Sequence, residues 1–376
     1  MKYKYLDKLG IKLSILGFGS CRFPTGVNDG DVIINKTEQM LSYAFDHGVN
    51  IIDTGYDYHD FKSENIIGNV LKNGYRDKVY LSTKLPAYRL NDKSEFDSIL
   101  NNQLNKLKTD CIDFYLLHGL SKNTWEKMKS LNALEWMESK KSEGKIKYIG
   151  FSFHDSTEIL QPILDSYDWD MVMLQYNYVN EKIQAGTKGI KYASSKSAAI
   201  TIMEPLLGGN LVNFPASIMQ MWHETKKDPV YTALNWLWSK SEISTVFSGM
   251  STFEQVKNNI KFASYEKTGK LAKDDLGILT KVKNELERIN PIPCTGCKYC
   301  LSSCPIHINI PELINMYNYS KTTHNELDWY SDRYSTILNG NNNNPCIKCK
   351  KCEEICTQKI EVIKWMQKIH NYYTQN

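Results

Sequence analysis

IKYIGFSFHDSTEILQPILDSYDWDMVMLQYN, residues 146–177, holds one full turn of the pattern that organises most of this chain. Its two ends, IKYIGFSFH (146–154) and MVMLQYN (171–177), are short, apolar and rich in β-branched or aromatic side chains. Such runs read as buried strands. Between them Ser156–Leu164 has helical spacing, with Ser156 as its N-cap. Working outward, the same kind of run recurs at ILGFGS (15–20), VNIID (49–53), VYLSTK (79–84), DFYLLH (113–118), AITIME (199–204) and STVFSG (244–249), which makes eight. Helical stretches are predicted at Asn35–His47, Ser63–Leu71, Phe96–Leu107, Ala133–Gly144, Pro229–Ser239 and Thr252–Ala263. Ser63 reads as a second N-cap, and Gly48 and Gly144 as C-terminal stops. Eight strand–helix repeats in about 250 residues predict an α/β fold of the (β/α)8 TIM-barrel type. A doubly wound sheet is the alternative, and the even spacing of eight units weighs against it. Ahead of the first unit, KYKYLDKLGIKLS (2–14) predicts a hairpin turning near Asp7–Gly10.

A chain of 376 residues exceeds one typical domain and suggests two. The barrel is assigned to residues 1–270, a connecting helix to 271–290 around Asp274–Arg288, and a second domain to 291–376. Pro291 and Pro293 mark the boundary, and Gly340–Asn344 reads as a flexible loop. Hydrophobic residues make up 41% and charged residues 23%, an ordinary globular balance. A net charge of +4 without any dense Lys/Arg block gives no electrostatic footprint for nucleic acid. The opening MKYKYLDKLG lacks the apolar core of a signal peptide. No apolar run reaches the roughly 18 residues of a membrane span. A cytoplasmic protein is expected.

Ten cysteines are present, eight of them between Cys294 and Cys356. Without an export signal, clustered cysteines point to metal and not to disulfides. Cys294, Cys297, Cys300 and Cys304, followed by Pro305, read C-x2-C-x2-C-x3-C-P. Cys346, Cys349, Cys352 and Cys356 repeat the spacing, with Thr357 in place of the proline. In this pattern three thiolates hold one [4Fe–4S] cubane and the fourth serves the other cluster. Crossed ligation would group Cys294, Cys297 and Cys300 with Cys356, and Cys346, Cys349 and Cys352 with Cys304. Zinc is the competing reading, but zinc favours two separated Cys pairs over runs of four. The tail resembles bacterial-type two-cluster ferredoxins. It departs from the compact form because 41 residues separate Cys304 from Cys346, and part of that insert, Ile310–Tyr319, reads as helix. This makes it more similar to helical ferredoxin modules. Cys21 and Cys111 stand apart, and Cys21 is read as a buried, inert thiol.

Barrel chemistry sits at the C-terminal strand ends. Those ends carry Asp53, Lys84, His118, Gln175–Tyr176–Asn177 and Glu204, with Tyr58 five residues past Asp53 on the same loop. His59 and His154 lie near the same mouth and are further candidates for substrate contact. Each residue alone has a plain structural reading: a cap, a solvated strand-end charge, a satisfied histidine. Their joint position at consecutive strand ends is what favours a catalytic site.

The segments NIIDTGYDY, STK and DFYLLH resemble the aldo/keto reductases, as do LGFGS, the Ser63–Glu64 pair and the GM-x4-QV segment at 249–256. With its tail, the chain is similar to the branch carrying an appended ferredoxin-like domain. The resemblance implies a catalytic tetrad of Asp53, Tyr58, Lys84 and His118. Tyr58 would be the general acid. A free tyrosine has a pKa near 10, and a neighbouring ammonium favours its phenolate. Asp53 would hold Lys84 charged, and His118 would orient the carbonyl. The resemblance further implies NADP(H) or NAD(H), with Ser152 and Gln175 at the nicotinamide amide and Gln255 and Asn259 near the adenine ribose. Gly19 and Ser20 join these contacts, as do the glycine loops Gly208–Gly209 and Ser248–Gly249, where backbone could approach a pyrophosphate. Three departures stand out: Phe153 replaces the usual Asn, Met203 replaces a stacking aromatic, and no basic residue lies around 249–255 to grip a 2′-phosphate. A flavin is a third cofactor candidate. The expected function is reduction of a small carbonyl or oxidation of an alcohol, with the clusters exchanging single electrons with a redox partner protein. The alternatives are a non-catalytic nicotinamide-sensing or electron-transfer subunit, and a reductase whose clusters are only structural.

Overall fold

The computed structural model describes residues 1–26, 31–289, 292–320, 327–338 and 344–374. Pro291 and residues 340–343 of the asparagine tract therefore lie outside the described residues. Two compact units are present: Met1–Pro205 with Tyr231–Leu271, and Leu206–Val230 with Ala272–Asn376.

In the first unit, β1 (Tyr3–Leu6) and β2 (Ile11–Ser14) form an antiparallel hairpin through the expected turn. Eight parallel strands follow: β3 (Leu16–Gly19), β4 (Ile51–Asp53), β5 (Tyr80–Leu85), β6 (Ile112–Leu120), β7 (Ile146–Phe153), β8 (Met171–Gln175), β9 (Ala199–Met203) and β10 (Ile243–Gly249). They close in the order β10-β3-β4-β5-β6-β7-β8-β9. Every apolar run read from the sequence is one stave of this barrel. The helices begin and end within a residue or two of expectation, and Gly48 and Gly144 end theirs at φ of +93° and +75°. Ser63 does not cap its helix. Lys62 holds the cap position, and the Ser63 hydroxyl is buried, donating to Ser20 Oγ at 3.0 Å and pairing with Thr54 Oγ1 at 2.8 Å.

Side chains alternate across a strand, and that alternation sets the site. One inward-facing cluster joins Ile51, Phe114, Leu116, Met171, Met173, Ala199 and Phe247 to Ile11 and Leu13 of the hairpin, which packs on this interior. Stepping by two along the same staves leads from Ile51 to Asp53, from Leu116 to His118, and from Met173 to Gln175. The face that fills the barrel thus delivers polar groups at its C-terminal end. Space inside is tight: a Cβ on Gly150 would lie 2.4 Å from the Met171 carbonyl oxygen.

The second unit is helical, with helices at Lys273–Ile289, Tyr299–Ser303, Ile310–Ser320, Leu327–Ile337, Lys351–Ile355 and Val362–Thr374. Ile310, Leu313, Ile314 and Tyr317 share one apolar stripe, and Val362, Met366, Ile369 and Tyr373 share another. Both stripes enter one core, on which Cys294, Cys300, Cys346 and Cys356 pack. Among the described residues no helix is long and apolar enough to cross a membrane.

Candidate active site and cysteine sets

Lys84 ends an apolar stave, yet its side chain is only 1% exposed. A buried ammonium needs partners for its three donors. It donates to Asp53 Oδ2 at 2.6 Å, to the Thr54 carbonyl at 2.5 Å and to the Tyr58 hydroxyl at 3.4 Å. The other Asp53 oxygen accepts from Ser82 Oγ at 2.9 Å. Burial pushes the Asp53 carboxyl up, and Lys84 and Ser82 oppose that. Tyr58 meets His118 edge-on, with ring centroids 5.9 Å apart. Burial, then the charge of Lys84 and His154, holds the His118 imidazole well below its usual range, so it is neutral at pH 7.

All four residues of the expected tetrad thus come together. Sequence reasoning missed several that support them. Gly55 lies under the Tyr58 ring, where a Cβ would stand 2.8 Å from a ring carbon. Tyr88 packs edge-on against His118 at 5.3 Å, and its hydroxyl donates to Asp57. Its phenol is pushed up by burial and by Asp57. The Gly after Asp53-Thr54 was the available signal for Gly55, whereas nothing about Tyr88 distinguishes it among 23 tyrosines. His59, Asp60 and Phe61 follow Tyr58 in left-handed backbone. His59 turns inward, its Nε2 2.9 Å from the Ser20 carbonyl and its ring stacked on Phe23. His154 Nδ1 lies 3.2 Å from Gln184 Oε1. Cys21, expected to be buried, is exposed on the turn Ser20–Arg22, because β3 ends at Gly19 and leaves it outside the barrel wall.

The cofactor candidates divide. Gln175 is 1% exposed, and neither atom of its amide has a hydrogen-bond partner among the described residues. A buried amide left so is costly unless a ligand completes it. A carboxamide, which offers one acceptor and one donor, fits it. Ser152 Oγ accepts from the Gly119 backbone N–H at 2.8 Å, leaving its own proton to donate. Asn259 Nδ2 donates to Ser248 Oγ at 3.1 Å, both buried. Gly19 pairs in register with Asp53 on one side and Gly249 on the other. A Cβ on Gly249 would meet Arg22. Ser20 is fully buried, facing Ser63 and not the mouth. Met203 packs on the interior cluster. Gln255 is exposed and accepts from the Ser251 N–H. Gly208 and Gly209 have φ of +66° and +101° and belong to the second unit.

In that unit the two cysteine runs are built alike. The Ile308 N–H donates to Cys304 Sγ at 3.4 Å, and the Ile360 N–H to Cys356 Sγ at 3.5 Å. Lys298 and Lys350 occupy matching left-handed positions at φ of +66° and +65°. Thr357 therefore supports the same turn as Pro305. Cys304, Cys346, Cys349 and Cys352 line one hollow. Burial pushes the Cys300 thiol up to about 12, with Cys297, Cys294 and Cys356 adding to it as neighbours. Cys352 is pushed up to about 11 by burial, and Cys346 and Cys304 add to that. Cys300 thus has Cys356 of the other run among its neighbours, and Cys352 has Cys304. Among the described residues no three His, Cys, Asp or Glu side chains are set to hold a single metal ion. Four thiols around a hollow fit an iron–sulfur cubane.

A closed barrel with this mouth fits an oxidoreductase. Residues 15–283 match the aldo/keto reductase family, and the chain belongs to it. Residues 293–363 match the 4Fe-4S dicluster domain. Among curated relatives, L-galactose dehydrogenase of Arabidopsis thaliana is 24% identical over 69% of this chain and 87% of its own length. The NADH-specific methylglyoxal reductase of Escherichia coli is 24% identical over 77% of this chain and 100% of its own. The fold is also that of a solved aldo/keto reductase from Klebsiella pneumoniae in complex with NADP and acetate. That structure gives a TM-score of 0.60 at 20% identity, covering 73% of this chain and 93% of the other.

Proposed function

We propose that the chain reduces a small carbonyl compound, or in reverse oxidises an alcohol, with a nicotinamide cofactor, and that its second unit holds two [4Fe–4S] clusters. The observation that carries the first part is the buried Lys84 ammonium, shared among Asp53, Thr54 and Tyr58. When bound, nicotinamide supplies a hydride and the clusters supply single electrons. Tyr58 gives its proton to the carbonyl oxygen. The Lys84 ammonium stabilises the phenolate that remains, and Asp53 and Thr54 keep Lys84 aimed. Neutral His118, packed against Tyr58, orients the carbonyl by hydrogen bonding. Gln175 and Ser152 would hold the nicotinamide amide, with Ser248, Gly249 and Asn259 toward the rest of the cofactor. Relatives of the family include one named for NADH and one solved with NADP. A flavin remains a third candidate, as a mediator between hydride and single electrons.

Cys294, Cys297, Cys300 and Cys356 would hold one cluster, and Cys304, Cys346, Cys349 and Cys352 the other. We infer exchange with a redox partner protein in the reducing cytoplasm, where clustered thiols stay available to iron. The test is anaerobic purification with iron, sulfide, nicotinamide and flavin quantitation, followed by carbonyl turnover. Tyr58→Phe should lower kcat by about 10²–10⁴-fold. Undiminished turnover in that variant would overturn the assignment of the acid.

A further inference from the structure

The two cysteine sets differ in what surrounds them. In the first, Cys294, Cys297 and Cys300 are half-buried, and a single lysine, Lys298, stands among them. In the second, Cys349 is exposed within the run Pro345-Cys346-Ile347-Lys348-Cys349-Lys350-Lys351-Cys352. Lys348, Lys350 and Lys351 are all exposed, and none makes an ion pair among the described residues. Beside them Ile347 is 59% and Ile306 41% exposed, two of the few large apolar side chains left in water. Ile306, Ile347, Lys348 and Lys350 all border the hollow that Cys304, Cys346, Cys349 and Cys352 line. An apolar pair beside cations that make no ion pair among the described residues, at the lip of a thiol set whose Cys349 is exposed, has the form of a small transient interface. Complementary charge steers such encounters and desolvated apolar contacts seat them.

We propose that this face, centred on Ile347 and Lys348–Lys351, docks an acidic one-electron carrier protein. The inference rests on the two-cluster reading above. In each encounter one electron crosses: the carrier is oxidised by one as the centre held by Cys304, Cys346, Cys349 and Cys352 is reduced by one, or the reverse, with no bond or proton transferred.

The experiment uses the anaerobically reconstituted full chain. An acidic flavodoxin is the probe, and cytochrome c, small and basic, is the opposite-charge control. Kd is measured by calorimetry at several ionic strengths, beside iron content and the electron paramagnetic resonance of the reduced protein. Flavodoxin should bind with a Kd that rises steeply with salt, and cytochrome c should bind at least tenfold more weakly. Lys348→Glu/Lys350→Glu/Lys351→Glu should weaken flavodoxin binding at least tenfold. Lys72→Glu/Lys93→Glu/Lys188→Glu changes net charge equally at residues outside the proposed face and should leave Kd within about threefold, as expected where local charge complementarity and not net charge governs binding. Equal loss in both triple variants, no loss in the first, or equal binding of cytochrome c overturns the proposal. If the first variant loses iron, the salt dependence and partner preference of the unaltered chain still decide. Iron content separates the two readings: about eight irons without flavodoxin binding overturns the docking face alone, whereas absence of iron overturns the cluster reading.

Discussion

Replacing Lys84 by Met should destabilise the barrel in a pH-dependent way. Lys84 and Asp53 are 1% and 7% exposed in their side chains, 2.6 Å apart. Without Lys84, the bond that Asp53 keeps among the described residues is that from the Ser82 hydroxyl. Removing one partner of a buried pair costs about 3–5 kcal/mol, most of it from the charge left behind. Anaerobic urea unfolding followed by circular dichroism, at a slope of about 3 kcal/mol/M, should show the midpoint falling by about 1–1.7 M at pH 7. The pH sign follows from Asp53. Burial already raises its carboxyl, and losing Lys84 raises it further. Between the unfolded pKa near 3.9 and the higher folded value, the folded state binds more protons than the unfolded. Stability is therefore kept below about pH 4 and lost as pH rises, by up to about 1.4 kcal/mol per unit, until the folded value is passed. The penalty should be smaller at pH 5 than at pH 8. Asp53→Asn/Lys84→Met should recover most of it, since replacing both partners avoids the unpaired charge. A cost equal at both pH values, or a double variant no better than the single, would refute the reasoning.

Gly55→Ala should displace the Tyr58 ring and lower kcat by about 10- to 100-fold, as misplaced catalytic groups do, with the unfolding midpoint nearly unchanged. With Cys346, Cys349 and Cys352 all changed to Ser, about four irons should remain. Changing Cys356 as well should then lower the count, while changing Cys304 instead should not, and the opposite pattern would mean uncrossed ligation. Burial pushes Glu204 up to about 7, against the pull of Arg22. Unfolded, its carboxyl ionises near 4.3, so its contribution falls from about that pH until pH passes the folded value. Glu204→Gln should flatten the loss of thermal stability between about pH 5 and 7, measured by circular dichroism.

Strand positions were legible because a buried parallel stave needs an unbroken apolar run, and eight such runs leave few closed arrangements. Asp53, Lys84 and His118 were legible for a related reason: a titratable side chain at the end of such a run breaks a strong local rule. The cysteine sets were legible from spacing alone. What escaped depends on contacts distant in sequence. Tyr88 reaches His118 across 30 positions, and Ser63 gives up a local cap for Ser20, 43 residues away. The grouping of Leu206–Val230 with the cysteine-rich unit has no local signature, since its helix Ala216–Thr225 reads like any barrel helix. Ser20 is buried because its hydroxyl meets Ser63, a contact that a motif position does not reveal.

Cofactor preference is expected to follow from the lack of a basic residue at 249–255. A 2′-phosphate carries nearly two negative charges and needs a desolvated cation to be held. At the start of the helix Phe253–Ser264 stand Ser251, Thr252 and Gln255, and the Gln255 side-chain oxygen is already engaged by the Ser251 N–H at 2.7 Å. Thr252 caps the Gln255 N–H. The cation one turn on, Lys257, lies over the Phe253 ring at 4.9 Å and the Tyr43 ring at 5.9 Å. Freeing it forfeits those contacts, each about 0.5–1 kcal/mol at an exposed site. NADH should therefore surpass NADPH in kcat/KM by about tenfold or more, equivalent to about 1.4 kcal/mol. Gln255→Arg should supply a guanidinium at this helix start and narrow that ratio through KM for NADPH, leaving kcat with NADH unchanged. Steady-state kinetics with both nucleotides at one carbonyl concentration decides it: a native preference for NADPH would mean that the phosphate finds its cation elsewhere, and would sink the argument.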